Sequence, residues 1–291
     1  MRISPMIFKK LLLVILIMST LIPSVNAWGP NTHVWVAKNS LLLHPDSEAY
    51  QLYQEHPDAL LCGLLYPDIT IIYYYVSFKC YQSTHSWSFA ERLWATATTD
   101  RQRAFAYGVT FHLIQDAISH NEYIPKKIAE TRMQNGLVHP LIEASVESDY
   151  VMFETRTSFD SVDEFLPFAN AALDKDMTKE AHLFRNIIQG EEFYKSGYAT
   201  PQDSFKWKVY KAFLGLAKLT FDTEDHVPYL ERAQSASEDY IVSRRTISYD
   251  PSGYSALTKA NSALTGTSVF MYVGFGGAII FMFWWWKKRS Q

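Results

Sequence analysis

The most informative segment of the chain is Tyr107-Gly-Val-Thr-Phe-His112-Leu-Ile-Gln-Asp116-Ala-Ile-Ser-His120. His112, Asp116 and His120 are spaced four residues apart, so an α-helix places them on one face, one turn after another. The other faces carry apolar residues, namely Phe105, Val109, Phe111, Leu113, Ile114, Ala117 and Ile118. A helix that is apolar on nearly all sides is a buried helix, and we expect this one to lie at the centre of the fold.

A carboxylate and two imidazoles inside a buried helix need partners, because burying an unpaired charge is costly. Zinc binds both imidazole nitrogen and carboxylate oxygen, so this face is typical of a zinc site. The alternative interpretation is a buried network of hydrogen bonds between the histidines and the aspartate. Gly108, one turn before His112, leaves space beside the same face.

Both ends of the 291-residue chain resemble membrane-targeting segments. Residues 1–27 are typical of a secretory signal peptide, with a basic start, an apolar run and an A-x-A-like cleavage site. Residues 267–286 contain no charge and are long enough to span a bilayer as a helix. A basic tail, 287–291, follows and predicts a cytoplasmic C-terminus with an exported main domain. A buried helix or a lipid-anchor signal would be the alternative, and both fit the basic tail less well.

The part of the chain between these ends is predicted to be all-α. Without its basic ends the chain has a formal net charge of −9, against −3 for the whole sequence. An acidic domain can hold several divalent cations and lacks the basic surface of a nucleic-acid-binding protein, so we expect no nucleic-acid partner. Strand-type alternation is scarce. The sequence therefore predicts a single helical domain over 28–240, followed by a linker over 241–266.

Candidate metal ligands also occur before the central segment. Cleavage after Ala27 would make Trp28 the N-terminal residue, and its α-amine and backbone carbonyl could chelate a metal beside His33. The alternative interpretation places Trp28 in the core and His33 at a helix start. Asp68 lies in an apolar run and needs a partner, unless it caps a helix. His85 lies in a Ser/Thr-rich turn.

A second pair follows the central segment, where His139 and Glu143 are again four residues apart. Pro140 stands at the first position of this helix, where proline is favoured. The alternative is an N-cap histidine and an ordinary surface acid. The chain has two cysteines, Cys62 and Cys80. In an exported protein they could form a disulfide, and two free thiols are the alternative.

Taken in order, the candidates resemble the trinuclear zinc signature of the zinc-dependent phospholipase C and S1/P1 nuclease superfamily. The residues are Trp28, His33, Asp68, His85, His112, Asp116, His120, His139 and Glu143. The resemblance covers about residues 28–143 and implies three zinc ions. The first ion would be held by Asp68, His85, His112 and Asp116. The second would be held by His120, His139 and Glu143. The third would be held by the amine and carbonyl of Trp28, by His33 and by a bridging Asp116.

The spacing departs from the bacterial members of this superfamily at one point. The gap from Asp116 to His120 is two residues shorter than in the bacterial phospholipases and nucleases, and it suits one continuous helix. In this shorter gap the chain is similar to the N-terminal domain of glycosylphosphatidylinositol-specific phospholipase D. Three short pieces of that domain recur here as Thr32-His33, Pro67-Asp68 and Ser83-Thr84-His85.

The resemblance implies metal-assisted hydrolysis of phosphodiester bonds, in which zinc lowers the pKa of water. Asp68 and Asp116 are the catalytic candidates, and Asp68 could also accept a proton. A C-terminal membrane helix would hold the site near lipid head groups, so we expect a phospholipid substrate. A nuclease or nucleotidase of the same superfamily is one alternative. A membrane-tethered, non-catalytic metal-binding protein is the other.

Overall fold

The computed structural model describes residues 28–73, 78–131, 161–189 and 224–263, with 139, 142, 143, 145–147, 149 and 150. Every regular element in these residues is helical, which confirms the predicted all-α fold. The predicted signal peptide 1–27, membrane helix 267–286 and basic tail 287–291 lie outside the described residues. Within the described residues, each helix is too short or too polar to cross a bilayer.

The α-helices in the described part of the chain include α1 (Pro30–Leu42), α2 (Glu48–Glu55), α3 (Pro57–Leu65), α4 (Phe78–Thr84), α5 (Trp87–Thr96), α6 (Asp100–Ile118), α7 (Ile124–Thr131), α8 (Val162–Leu173), α9 (Thr178–Gln189), α10 (Val227–Ser243) and α11 (Tyr254–Ser262). The described residues also form two 3₁₀ segments, Tyr66–Tyr73 and Glu224–His226, and one π-helical turn, Ser119–Tyr123. Residues 139, 142, 143 and 145–147 are also helical.

The central helix α6 begins at a capping box. The Thr99 side chain accepts a hydrogen bond from the Gln102 backbone nitrogen, and the Gln102 side chain accepts one from the Thr99 backbone nitrogen. This arrangement satisfies two backbone donors that a helix start would otherwise leave unpaired. Every residue from Ala104 to Ile118 is buried, as the apolar pattern of the segment predicts.

Helix α3 packs on α6 with backbone against backbone. A Cβ atom at Gly63 would lie 2.0 Å from the carbonyl oxygen of Phe105, and one at Gly108 would lie 2.0 Å from the carbonyl oxygen of Leu60. The space that Gly108 leaves is therefore filled by α3. This close approach also brings the carbonyl oxygen of Leu64 to His112, which lies one turn after Gly108 on the same face of α6.

The end of α6 differs from the single continuous helix that the short Asp116–His120 gap suggests. The α-helix ends at Ile118, and a π-helical turn over Ser119–Tyr123 connects it to α7. A π turn shifts the helical register relative to a regular α-helix, and such turns are frequent at functional sites. Here it includes His120.

The segment predicted as a linker, 241–266, also differs from the prediction. Helix α10 continues through Ser243, and α11 occupies Tyr254–Ser262. Pro251, Ser252 and Gly253 between them are buried. The reason is a close contact: Gly253 has φ +59°, and a Cβ there would lie 2.3 Å from Cβ of His120. The C-terminal part of this segment therefore packs on the domain.

The predicted disulfide is absent from the structure, in which both cysteines are free. Cys62 is fully buried on α3 as part of the main hydrophobic core. Cys80 is partly exposed on α4, where Nζ of Lys175 lies 3.0 Å from its Sγ. The two thiols thus have separate environments, and the free-thiol alternative is the one that the structure shows.

Candidate metal centre

His112 and Asp116 project from the buried face of α6. Nδ1 of His112 lies 2.8 Å from the carbonyl oxygen of Leu64. A carbonyl oxygen can only accept, so Nδ1 carries the proton and Nε2 keeps its lone pair. That Nε2 atom lies 3.1 Å from Oδ2 of Asp116.

His33 on α1 and His85 in the bend between α4 and α5 repeat the same arrangement. Nδ1 of His33 lies 2.7 Å from Oε1 of Gln115, and its Nε2 lies 3.3 Å from Oδ1 of Asp116. Nδ1 of His85 lies 3.2 Å from the carbonyl oxygen of Tyr81, and its Nε2 lies 3.3 Å from Oδ2 of Asp116. Asp116 therefore lies between the histidines, with one carboxylate oxygen facing His33 and the other facing His85 and His112.

Asp68 completes this side of the site. It lies in the 3₁₀ segment that follows α3 and is 1 % exposed. Its Oδ1 atom is 3.6 Å from Nε2 of His85 and 3.8 Å from Nε2 of His112. Thr84 donates its hydroxyl to the Pro67 carbonyl, one residue before Asp68, and so ties α4 to this segment. The predicted neighbours Asp68, His85 and His112 do come together.

His120, His139 and Glu143 form a separate group. Nε2 of His139 lies 2.5 Å from Oε1 of Glu143, as expected for side chains one helical turn apart. Nδ1 of His120 lies 2.8 Å from the carbonyl oxygen of Pro251. All three side chains are fully buried. Oδ2 of Asp116 lies 3.8 Å from Nδ1 of His120, which connects this group to the first.

The geometry gathers the candidates into three groups, of which the first two share His112. In each group, one ligand atom from every residue lies within 4.8 Å of the others. The groups are His33, His112 and Asp116; then Asp68, His85 and His112; then His120, His139 and Glu143.

Trp28 is fully buried and belongs to the smaller hydrophobic cluster, beside Val36, Ile118 and Leu230. Helix α1 begins two residues later, at Pro30, and carries His33 in its first turn. The core position matches one interpretation of this tryptophan. The role of its α-amine as a metal ligand stays a prediction.

Burial and charge act strongly on the titratable groups. Burial alone would raise the pKa of Asp116, but the positive charges of His112 and His120 lower it well below its usual value. Burial would lower the pKa of His85, but the carboxylates of Asp116 and Asp68 raise it to about 9. Asp116 is therefore held as an anion among imidazoles.

In the group of His120, His139 and Glu143, burial and charge shift the pKa values of the acid and a histidine in the opposite directions. Burial, and then the negative charge of Asp116, raise the pKa of Glu143 well above its usual value. Burial, and then the positive charge of His120, lower the pKa of His139 well below its usual value. Without a cation both side chains therefore favour their neutral forms. A divalent cation would reverse this for Glu143, because a metal ion is the largest local charge in such a site.

The residues present fit zinc. Several buried ligand atoms make no hydrogen bond of good geometry within the described residues: Nε2 of His33, Oδ1 of Asp68, both carboxylate oxygens of Asp116 and Nε2 of His120. Imidazole nitrogen and carboxylate oxygen are ligands that zinc accepts. The outer ring nitrogens of His33, His85, His112 and His120 are held by protein oxygens, which is the usual support of a metal-binding histidine.

Two supporting side chains do not appear among the sequence-predicted residues. Gln115 holds His33 and lies next to Asp116 in sequence, but its role needs the fold. The buried Glu147 carboxylate accepts hydrogen bonds from the backbone nitrogens of Asn31 and Thr32 at the start of α1. Glu147 is four residues after Glu143, so the spacing that identifies the ligand pairs also indicates this residue.

Comparison with known proteins supports the same family. The family model described as "Zinc dependent phospholipase C" matches residues 32–182, which is more than half of the chain. No curated protein and no solved structure matches the chain. The resemblance to glycosylphosphatidylinositol-specific phospholipase D stays a prediction. The family match covers eight of the nine candidate ligands, all except Trp28. This chain therefore belongs to the zinc-dependent phospholipase C family.

Proposed function

We propose that the protein is a zinc-dependent phosphodiesterase that hydrolyses phospholipids in the manner of a phospholipase C. One observation carries the proposal: within the family-matched region, Asp116 lies at the centre of a buried set of imidazoles whose Nε2 atoms face inward. A buried hydrogen-bond network alone would not require three Nε2 atoms to converge on one carboxylate, whereas a shared cation would.

In this proposal three sets of residues, those implied by the family resemblance, each hold one zinc ion, so three ions are expected. The residues for the first are Asp68, His85, His112 and Asp116. Those for the second are His120, His139 and Glu143. Those for the third are His33 and Asp116 with the amine and carbonyl of Trp28. Bound zinc supplies Lewis acidity, which polarises phosphoryl oxygens and lowers the pKa of water.

The protein's own groups have two further tasks in the reaction. Asp116 must remain ionised among the histidines, and the depressed pKa of its carboxyl group ensures this at neutral pH. Oδ1 of Asp68 makes no hydrogen bond of good geometry within the described residues. It is therefore the group that we assign to accept a proton from the attacking water.

The test compares zinc content and release of phosphocholine from phosphatidylcholine in the purified protein. We expect Asp116→Asn and His112→Ala to lose zinc and activity together. Asp100→Asn, an exposed acid in the first turn of the same helix, and His182→Ala, an exposed histidine, are matched controls that should keep both. Full activity in a zinc-free Asp116→Asn protein would refute the assignment.

The same assay separates the alternatives. Release of mononucleotides without release of phosphocholine would identify a nuclease or nucleotidase. Zinc in the protein without turnover of either substrate would identify a non-catalytic metal-binding protein. The acidic balance of the chain favours the lipid substrate, because a polyanionic nucleic acid is attracted to basic surfaces.

We further propose that the domain is exported and anchored by a helix over 267–286. The support is the sequence pattern alone: a signal-like start, an uncharged apolar segment and a basic tail. In membranes of the cells that make the protein, we expect it to resist alkaline extraction and the domain to be digested by protease from the extracytoplasmic side. Release into the soluble fraction at high pH would contradict the anchor.

A further inference from the structure

The turn between α10 and α11 lies against His120, which belongs to the ligand group of His120, His139 and Glu143. We call residues 249–253 the C-terminal turn. Pro251, Ser252 and Gly253 in this turn are buried although they lie in sequence between two partly exposed helices. The turn also lies 67 or more residues beyond the end of the family match, which stops at residue 182. The contact is therefore a property of this chain outside the region by which the family is recognised.

The contact is directed at one ring atom of one candidate ligand. The carbonyl oxygen of Pro251 lies 2.8 Å from Nδ1 of His120. Because that oxygen can only accept, the proton of the imidazole is on Nδ1, and the lone pair is on Nε2. Nε2 is the atom that makes no hydrogen bond of good geometry within the described residues. The turn thus determines which nitrogen of His120 is available to a metal.

The turn is built so that this carbonyl keeps its place. The Asp250 carboxylate accepts hydrogen bonds from the Ser252 backbone nitrogen at 3.0 Å and from the Ser252 hydroxyl at 2.7 Å. The Gly253 backbone nitrogen donates to the Asp250 carbonyl at 2.9 Å. Gly253 has φ +59°, a conformation that favours glycine.

The turn is also attached to the rest of the domain at three points. Nδ2 of Asn121, next to His120, donates to the carbonyl oxygen of Asp250 at 2.7 Å. Nε1 of Trp87 on α5 donates to the carbonyl oxygen of Tyr249 at 2.8 Å. A Cβ at Gly253 would lie 2.3 Å from Cβ of His120, so the backbone of the turn touches the histidine directly.

The other histidines show what the contact does. His112 and His85 are held in the same way by the carbonyl oxygens of Leu64 and Tyr81, both of which lie inside the family-matched region. Only for His120, among these three, does the supporting carbonyl come from beyond it. His120 lies in the π-helical turn, so the register of the regular α-helix that carries His112 and Asp116 does not extend to it.

We propose that the C-terminal turn is a positioning element of the metal centre, which fixes the tautomer and orientation of His120 through the Pro251 carbonyl. The inference rests on the proposed function only in assuming that His120, His139 and Glu143 bind zinc. Pro251 acts here through its backbone, so its side chain can change without loss. The turn depends instead on the side chain of Asp250, which holds it, and on the lack of a side chain at Gly253.

Two variants test the proposal in the full-length protein. In Gly253→Asn the new asparagine tolerates positive φ, but the Cβ atom of this asparagine would displace the turn from His120. Asp250→Ala removes the acceptor of both Ser252 hydrogen bonds without adding an atom near the histidine. The control is Asp239→Ala, which removes one exposed acid from α10 and so makes the same change in charge.

The measurements are the zinc retained by each protein against increasing chelator, and the visible spectrum after replacement of zinc by cobalt. We expect both test variants to hold one zinc ion about 10- to 100-fold less tightly and to change the cobalt spectrum. The remaining ions and the Asp239→Ala control should behave as in the wild-type protein. Equally weaker binding of all the zinc ions would indicate a general loss of stability and would contradict the proposal.

Wild-type zinc retention and an unchanged cobalt spectrum in the test variants would overturn the proposal. Circular dichroism of the metal-free proteins shows whether the variants fold, and if Gly253→Asn does not, Asp250→Ala decides. The outcome is independent of the substrate. If the wild-type protein holds zinc but cleaves no phospholipid, the proposed function fails, while zinc retention by the variants still decides the role of the turn.

Discussion

Glu147 and Thr32 are joined by two hydrogen bonds, since one carboxylate oxygen accepts from the Thr32 backbone nitrogen at 3.0 Å and from its hydroxyl at 2.9 Å. The other oxygen accepts from the backbone nitrogen of Asn31 at 2.9 Å. Helix α1 begins after Gly29, which has no side chain to cap it. The buried carboxylate of Glu147 therefore serves as the cap of α1 from another part of the chain, and it fixes the turn that carries His33.

We expect Glu147→Ala to lower the free energy of unfolding of the metal-free protein by about 2–4 kcal/mol. The substitution removes the carboxylate that accepts from two backbone donors and two side-chain donors, and the loss of hydrogen bonds to buried groups is costly. Chemical denaturation measures the change, with the exposed Glu231→Ala on α10 as the control. Equal stability of the two variants would show that α1 does not depend on this cap.

A methyl group at Gly108 should separate the two central helices. In Gly108→Ala the new Cβ meets the backbone of α3 at Leu60 rather than a movable side chain, so we expect a loss of about 3 kcal/mol or more. Because the Leu64 carbonyl holds His112, zinc content should fall as well. Arg103→Ala, exposed on the same helix, is the control. Wild-type zinc content in a folded Gly108→Ala protein would contradict the coupling.

Removal of zinc should destabilise the protein strongly. A ligand present at about a thousand times its dissociation constant adds about 4 kcal/mol to the folded state, which corresponds to about 8–16 °C in a domain of this size. We expect calorimetry to show a fall of this order with chelator and recovery with zinc. Magnesium should not restore the loss, because it prefers oxygen ligands. Identical unfolding temperatures with and without chelator would contradict a zinc-filled centre.

A pH effect is expected at the surface, where Arg101 donates hydrogen bonds to both Asp58 and Glu164. The hydrogen bonds from Arg101 hold the pKa of Asp58 below its usual value. A group whose pKa is lowered by folding stabilises the protein above its unfolded pKa, and this stabilisation is lost as the pH falls through the folded pKa. The side chains of Arg101 and Asp58 are at least one third exposed, so the contribution is below about 1 kcal/mol.

Chemical denaturation of wild type and Arg101→Met over a range of pH tests this effect. The difference in stability between the two proteins should be present near neutral pH and should shrink as the pH falls below about 4. A difference that stays constant to acid pH would show that Arg101 acts through packing on Phe165, whose ring centre lies 5.7 Å from the guanidinium carbon.

The all-α fold and the grouping of the candidate ligands could be predicted because both depend on side-chain spacing. His112 and Asp116 are one turn apart on α6, and His139 and Glu143 are one turn apart on another helix, so local sequence places each pair. The supports of these ligands could not be predicted in the same way. The Leu64 and Pro251 carbonyls are backbone atoms, which every residue has, and only the fold shows which of them meets a histidine.

The linker and disulfide predictions show a related limit. Asp250-Pro-Ser-Gly253 is a turn sequence, but turn chemistry does not indicate whether the turn is exposed or buried. Here the absence of a Cβ at Gly253 allows the backbone to pack on His120. Cys62 and Cys80 bracket Asp68 in sequence, but Cys62 is buried in the core while Cys80 lies beside Lys175.

The Pro251 contact bears on how the protein can be dissected. A recombinant fragment that ended at residue 182, where the family match ends, would retain all nine candidate ligands. It would nevertheless leave Nδ1 of His120 without its acceptor and free the ring to exchange tautomers. The region that the family model matches is thus shorter than the part of the chain that contacts the ligands, and the smallest fragment expected to assemble a complete centre extends at least through α11.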